Sequence, residues 1–188
     1  MDVYETPPIF ENEHYLIRFI QVEDCADLLR VYSDEKAAPL FNCDNCGGDD
    51  FHYTTEDRMR QAIEFWLREY SQRYYVRFAV CDKRIHNTAI GTIEIFNRKA
   101  DDFFTDCGLL RLDLRSDYEN ETEISCLLSL ILMPFFSLFS CRMIATKAIP
   151  AATERISALQ KFGFALSDEK LIGGHDGTVY GDYWIIKQ

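Results

Sequence analysis

Apolar positions recur with two periods along this chain, two residues in some stretches and three to four in others. The run 14–20 alternates β-branched and aromatic residues, predicting a strand, and Glu23-Asp24 then opens a helix through Leu28, Leu29 and Tyr32. A Gly/Asp/Asn-rich turn follows at 43–50. Beyond it, Thr54 with Asp57 three residues later has the form of a capping box, and Met59, Ile63, Trp66, Leu67 and Tyr70 recur at helical spacing over 54–72. Runs 74–82 and 89–96 read as two strands paired as an antiparallel hairpin across 83–87. A strand at 107–114, an apolar helix at 122–140 that Pro134 should kink or end, and a short parallel-type strand at 142–147 come next. Pro150 is placed to open a further helix with Ile156, Leu159 and Phe162 inward and Gly163 as its stop. Strands at 164–171 and 178–186, around the turn Gly173 to Gly177, close the chain.

The order β-α-α-β-β-β-α-β-α-β-β predicts an α/β (α+β) fold: a single mixed, mostly antiparallel sheet with helices on both faces. No Pro/Gly/Ser-rich linker divides residues 1–188, which we read as a single domain with one core.

Charge narrows the partners. A formal charge of −11 argues against nucleic acid or an anionic membrane, both of which demand a basic patch, and suits a cation such as an amine. The start 1–8 lacks a secretory pattern, and the apolar run 124–139 is interrupted by Ser125, Ser129, Pro134 and Ser137, so a buried helix and a cytoplasmic protein are expected. Seven cysteines in such a chain are expected to be reduced thiols. Cys43 and Cys46 have metal or redox spacing, but beyond His52 no fourth ligand is near, and a plain turn is the favoured reading; no metal is expected. His14, His52, His86 and His175 are scattered and form no triad pattern.

The candidate chemistry centres on 110–125, where an apolar strand runs through a turn into a helix start. A helix N-terminus gathers unpaired N–H groups and favours an anion. Here it carries Asp117, Glu119, Glu121 and Glu123, with only Arg115 to offset them.

The element order, the segment Ile90-Gly-Thr-Ile-Glu94, the strand and helix at 108–133 and the ending Leu159-Gln-Lys-Phe-Gly-Phe164 resemble the GNAT N-acetyltransferases, nearest to the ribosomal-protein alanine acetyltransferase branch. The resemblance implies acetyl-CoA as donor and the amine of a small molecule or a peptide N-terminus as acceptor. It implies that the strands 107–114 and 142–147 splay. The backbone of Leu112, Asp113 and Leu114 would then face pantetheine, while Ser116, Asp117, Tyr118, Glu119, Asn120 and Glu121 wrap the pyrophosphate.

The loop departs from the family pattern. No glycine stands between Gly108 and Gly163, and Glu119 and Glu121 fall approximately where the family has glycines. A like charge about 6 Å from a phosphate costs roughly 3 kcal/mol at an effective dielectric near 20. Either these acids face the phosphates and exclude acetyl-CoA, or they cap their own helix. Such a reaction needs a group that removes a proton from the ammonium, and Glu94 is the candidate base, on the strand face opposite Ile93 and Ile95 with its pKa raised by apolar neighbours; the alternative is an exposed carboxylate paired with Arg98 or Lys99. Ala152 and Leu159 stand where the family has Asn and the acid Tyr, which leaves Tyr180, or Tyr183, as the candidate acid. Two functions follow: an acetyl-CoA-dependent N-acetyltransferase, or an inactive GNAT-fold binding or interaction module, conceivable as a homodimer through its aromatic surface.

Overall fold

Side-chain alternation along the strands gives each face of the sheet its own set of core residues. The structure, a computed structural model, describes residues 2–174 and 177–188. Its main sheet contains β1 (Phe10–Glu11), β2 (Tyr15–Phe19), β3 (Val76–Asp82), β4 (Thr88–Arg98), β5 (Cys107–Leu114), β6 (Met143–Lys147), β7 (Ala165–Leu166) and β10 (Tyr183–Lys187). They lie in the order β1-β2-β3-β4-β5-β6-β10-β7, and β8 (Leu171–Ile172) pairs with β9 (Val179–Tyr180) in a separate ribbon. Every pairing is antiparallel except β5 with β6. The mixed, mostly antiparallel sheet and its α+β class are as expected.

Helices cover both faces. On one, Leu28, Val31 and Tyr32 of α1 (Cys25–Tyr32) and Met59, Ile63 and Trp66 of α2 (Glu56–Ser71) pack with Ala79 and Cys81 of β3. On the other, Ile124, Leu127, Ile131 and Phe135 of α3 (Glu121–Leu138) and Leu159 of α4 (Thr153–Lys161) meet Phe78, Ile93, Ile95 and Leu112. Among the described residues α3 alone has the length and mean hydropathy, 1.5, to cross a bilayer, but it lies in the core.

Several expectations shift. The α2 cap is Thr55, whose hydroxyl accepts from the Arg58 N–H, one residue later than the proposed Thr54 box. Pro134 does not end α3, which runs on to Leu138; burial of Leu132, Phe135, Phe136 and Phe139 around it offsets the lost backbone bond. Pro150 lies in the turn before α4 and not in its first turn. The run 164–171 breaks where the Ser167 hydroxyl accepts from the Glu169 N–H, and 178–186 breaks at Asp182, whose φ is 62°. Part of the turn between them, His175 and Asp176, lies outside the described residues.

One feature of the sheet positions the site. The parallel ladder runs from Cys107 opposite Met143 to Leu110 opposite Thr146, but β5 continues to Leu114 without β6. Beyond Lys147 the chain turns toward β10: the Ala148 N–H donates to the Asp182 carbonyl and Trp184 Nε1 donates to the Ala148 carbonyl. The pairing of β5 with β6 therefore ends at Leu110.

Candidate functional site

Register builds a charged floor on the α1–α2 face of the sheet. Arg77, Glu94 and Arg111 stand side by side on β3, β4 and β5, and Ala79, Thr92 and Asp113 form the next row. Glu94 does point away from Ile93 and Ile95, as alternation requires. It is 1% exposed, and its carboxylate accepts from Arg77 Nη2 and from Arg111 Nη1, each at 2.5 Å. Arg98 pairs instead with Asp102, and Lys99 with Asp106.

This corrects the electrostatics expected of Glu94. Burial pushes its carboxyl upward, but the charges of Arg111 and Arg77 and their hydrogen bonds outweigh that, so the group is held below the usual glutamate value. Apolar strand neighbours alone do not reveal this, because both guanidiniums arrive from adjacent strands. Asp113 differs: burial holds its carboxyl above the usual aspartate value against the opposing Arg77 charge. Its Oδ2 accepts from the Tyr32 hydroxyl at 3.0 Å and lies 3.4 Å from Arg77 Nη1, while Oδ1 has no partner.

The floor opens into a cavity of about 810 Å³ beneath the α1–α2 connection. Phe51, Tyr53, Trp66 and Tyr75 form apolar walls, and Arg77, Glu94 and Arg111 line the inner end. The Arg77 guanidinium stacks 4.0 Å from the Trp66 ring centroid. Arg111 Nη2 also donates to the Asp44 carbonyl, and the Asp44 carboxylate receives Lys147 Nζ and the Tyr183 hydroxyl. Tyr180 stands at the end of this network with its ring 5.8 Å from Lys147 Nζ. The structure thus links Glu94 to Tyr180 through Arg111, Asp44 and Lys147, and gives the buried Tyr183 hydroxyl a structural partner. The turn holding Cys43 and Cys46 contributes Asp44 and Cys46 here; both cysteines are free thiols, and no His/Cys/Asp/Glu cluster suited to a metal occurs among the described residues.

The predicted phosphate loop follows β5 and leads into α3. Leu112, Asp113 and Leu114 are buried. From Ser116 to Glu121 each residue has a partner within the protein. The Ser116 N–H donates to Asp34 Oδ2 at 2.9 Å, Asp117 pairs with Arg115, and the Tyr118 hydroxyl donates to Asp82 at 2.8 Å. Glu119 forms a buried ion pair with Arg155 of α4, joined by Arg155 Nη2 to Oε1 and by Nε to Oε2 at 3.3 Å. Asn120 caps α3 through the Glu123 N–H, the Glu121 N–H donates to Glu154 Oε2 at 3.0 Å, and the Glu121 side chain lies 3.7 Å from Lys161.

These residues do not fit the phosphates of acetyl-CoA. Backbone donors at both ends of the loop are already bonded to Asp34 and Glu154, and the local guanidiniums are bonded to Asp117 and Glu119. The acids neither all face a phosphate nor all cap α3. Glu119 turns inward onto a cation that sequence reasoning missed; the available signal was a basic residue on the inner side of the following helix, three positions after Ala152. Arg77 and Arg111 were missed too, although each is an arginine at an inward position of an apolar strand.

No family model matches the chain, and no curated protein matches it in sequence. Solved structures match its fold. A GNAT-family acetyltransferase from Bacillus anthracis superposes with a TM-score of 0.68 at 16% identity, over 96% of this chain and 98% of the other. The ribosomal-protein-S5-alanine acetyltransferase from Vibrio fischeri gives 0.65 at 18% identity over 96% of each chain. RimL, a ribosomal L7/L12 α-N-protein acetyltransferase in complex with coenzyme A, gives 0.69 at 11% identity over 96% of this chain and 98% of its own. The chain has the fold of these acetyltransferases.

Proposed function

We propose that this protein is a GNAT-fold binding module that holds its ligand in the cavity under the α1–α2 connection and does not transfer acetyl from acetyl-CoA. The state of Glu94 carries this reading. A general base must offer a free lone pair and a pKa near the working pH, whereas the Glu94 oxygens face two guanidiniums and its pKa is lowered. The internally bonded phosphate loop supports the same conclusion. An amine-bearing small molecule or peptide N-terminus suits the aromatic wall, where Glu64 and Glu69 stand beside Arg58 and Arg68, and the overall charge of −11 draws cations to the protein as a whole. The test is calorimetry and thermal shift with acetyl-CoA, followed by thiol release with a panel of amines. We expect no shift at millimolar cofactor and no release above background; saturable acetyl-CoA binding with amine-dependent thiol release would overturn the reading.

The end of the β5–β6 ladder at Leu110 favours a second reading, an N-acetyltransferase acting on a primary amine, since it leaves one edge of Arg111 to Leu114 without a β6 partner. That reading requires the Glu119–Arg155 pair to open and the base to be a group other than Glu94.

A further inference from the structure

The bonding capacity left over in the cavity differs between its two ends. At the inner end it consists of donors. Both Glu94 oxygens are taken by guanidiniums, whereas the Nε–H of Arg77 and that of Arg111 are buried without an acceptor. The Trp66 indole N–H, on the wall beside Arg77, and the Tyr75 hydroxyl also have no hydrogen-bond partner among the described residues. Trp66 is 3% exposed, and buried groups of these kinds ordinarily find an acceptor. Burial, and after it the charge of Glu94, pushes the Tyr75 phenol up, which keeps it a donor. Charge agrees with this count. Two permanently charged guanidiniums line the inner end with one carboxylate between them, and Asp113, 3.4 Å from Arg77, stands in the next row and does not line the cavity.

The solvent end has the opposite excess. Along α2 it is lined by the exposed Glu64 and the half-buried Glu69, whose carboxylates have no hydrogen-bond or ion-pair partner among the described residues. Arg68 is the cation beside them, lying over the Phe65 ring, and Arg58 is already bonded to Asp49. We propose that the cavity takes a short free peptide, its C-terminal carboxylate entering first onto Trp66, Tyr75 and the two inner guanidiniums while its ammonium stays at Glu64 and Glu69. A carboxylate supplies acceptors to donors that lack them, and charge makes those bonds strong. The apolar body lies along the aromatic wall, in a cavity whose volume of about 810 Å³ falls in the range of small-molecule sites, roughly 300–1,000 Å³. The proposal rests on the reading of this cavity as the ligand site of a binding module, and it agrees with that reading by keeping the amine away from the floor.

The test is calorimetry on the full-length protein with glycyl-phenylalanine and glycylglycyl-phenylalanine, each as the free acid and as the C-terminal amide. The acid should bind on the order of tenfold more tightly than its amide. Tyr75→Phe, which removes only an unpartnered hydroxyl, should narrow that gap by a factor of about three. Equal affinity for acid and amide, a tighter amide, a gap unchanged in Tyr75→Phe, or no binding by any of the four peptides overturns the proposal. Should Tyr75→Phe not fold, protection of Cys46, another lining residue, is followed in wild type by maleimide labelling and mass mapping: protection by the acids and not by the amides supports the proposal, and no protection overturns it. The absence of acetyl transfer is read separately, by thiol release with acetyl-CoA, and its failure would leave the acid-to-amide ratio as it stands.

Discussion

Arg111 stands directly across the β4–β5 ladder from Glu94, and its Nη1 donates to Glu94 Oε1 at 2.5 Å while Arg77, across the other ladder, holds Oε2. The carboxylate is thus shared by two buried guanidiniums. Glu94→Ala should cost about 3–5 kcal/mol in urea unfolding, because it removes the carboxylate paired with buried Arg111 and leaves buried Arg77 only the longer 3.4 Å approach to Asp113. A cost under about 1 kcal/mol would show that Glu94 is dispensable to the fold and return it to candidacy as a reacting group.

Strands β2 to β6, four main helices and the face assigned to Glu94 were legible in the sequence because each depends on a local period, whereas the two-residue β1 was not and the last two expected runs each divide in two. The partners of Glu94 were not. Arg77 and Arg111 lie 17 residues to either side of it, and only the register of a three-stranded meander brings them together. Arg155 was hidden for the same reason, 36 residues from Glu119 and on a different element. Local pattern left open whether Pro134 kinks or ends its helix, and the packing of the surrounding aromatics decides that the helix continues.

Gly91 is a tight point beside this floor. It follows the β-bulge between Val80 and Cys81, and a Cβ there would collide with the Asp113 carbonyl oxygen and lie 2.6 Å from Leu114 Cδ2. Gly91→Ala must push β4 from β5, displacing Asp113. We expect a loss of roughly 1–3 kcal/mol or more from overpacking, measured as a lower urea midpoint at unchanged slope; a neutral substitution would mean the two strands separate freely.

Glu119 and Glu121 are two residues apart with opposite roles. Glu121 lies on the surface 3.7 Å from Lys161, so Glu121→Ala should change stability by about 0.5 kcal/mol or less. Glu119→Ala strands Arg155 and should cost about 3–5 kcal/mol. Equal effects in parallel denaturant titrations would place both acids at the surface and contradict the geometry.

Acid should act on the two buried carboxylates of the floor in opposite senses. The Glu94 carboxyl is held below 4.5 in the fold, so the unfolded chain takes up its proton first. Its stabilisation is complete above the unfolded value and is lost as pH falls through the lower folded value. Asp113 is held above 3.8 by burial, so there the folded chain takes the proton first, and a penalty on its ionised form at higher pH is relieved as pH falls through the folded value. The advantage of wild type over Glu94→Gln should therefore shrink from pH 6 toward pH 3, while its standing relative to Asp113→Asn should improve. Each slope is bounded by about 1.4 kcal/mol per pH unit for one proton. Unfolding free energies by urea at half-unit pH steps provide the comparison, and two difference curves running in the same direction would show that the floor does not hold these carboxylates in opposite protonation environments.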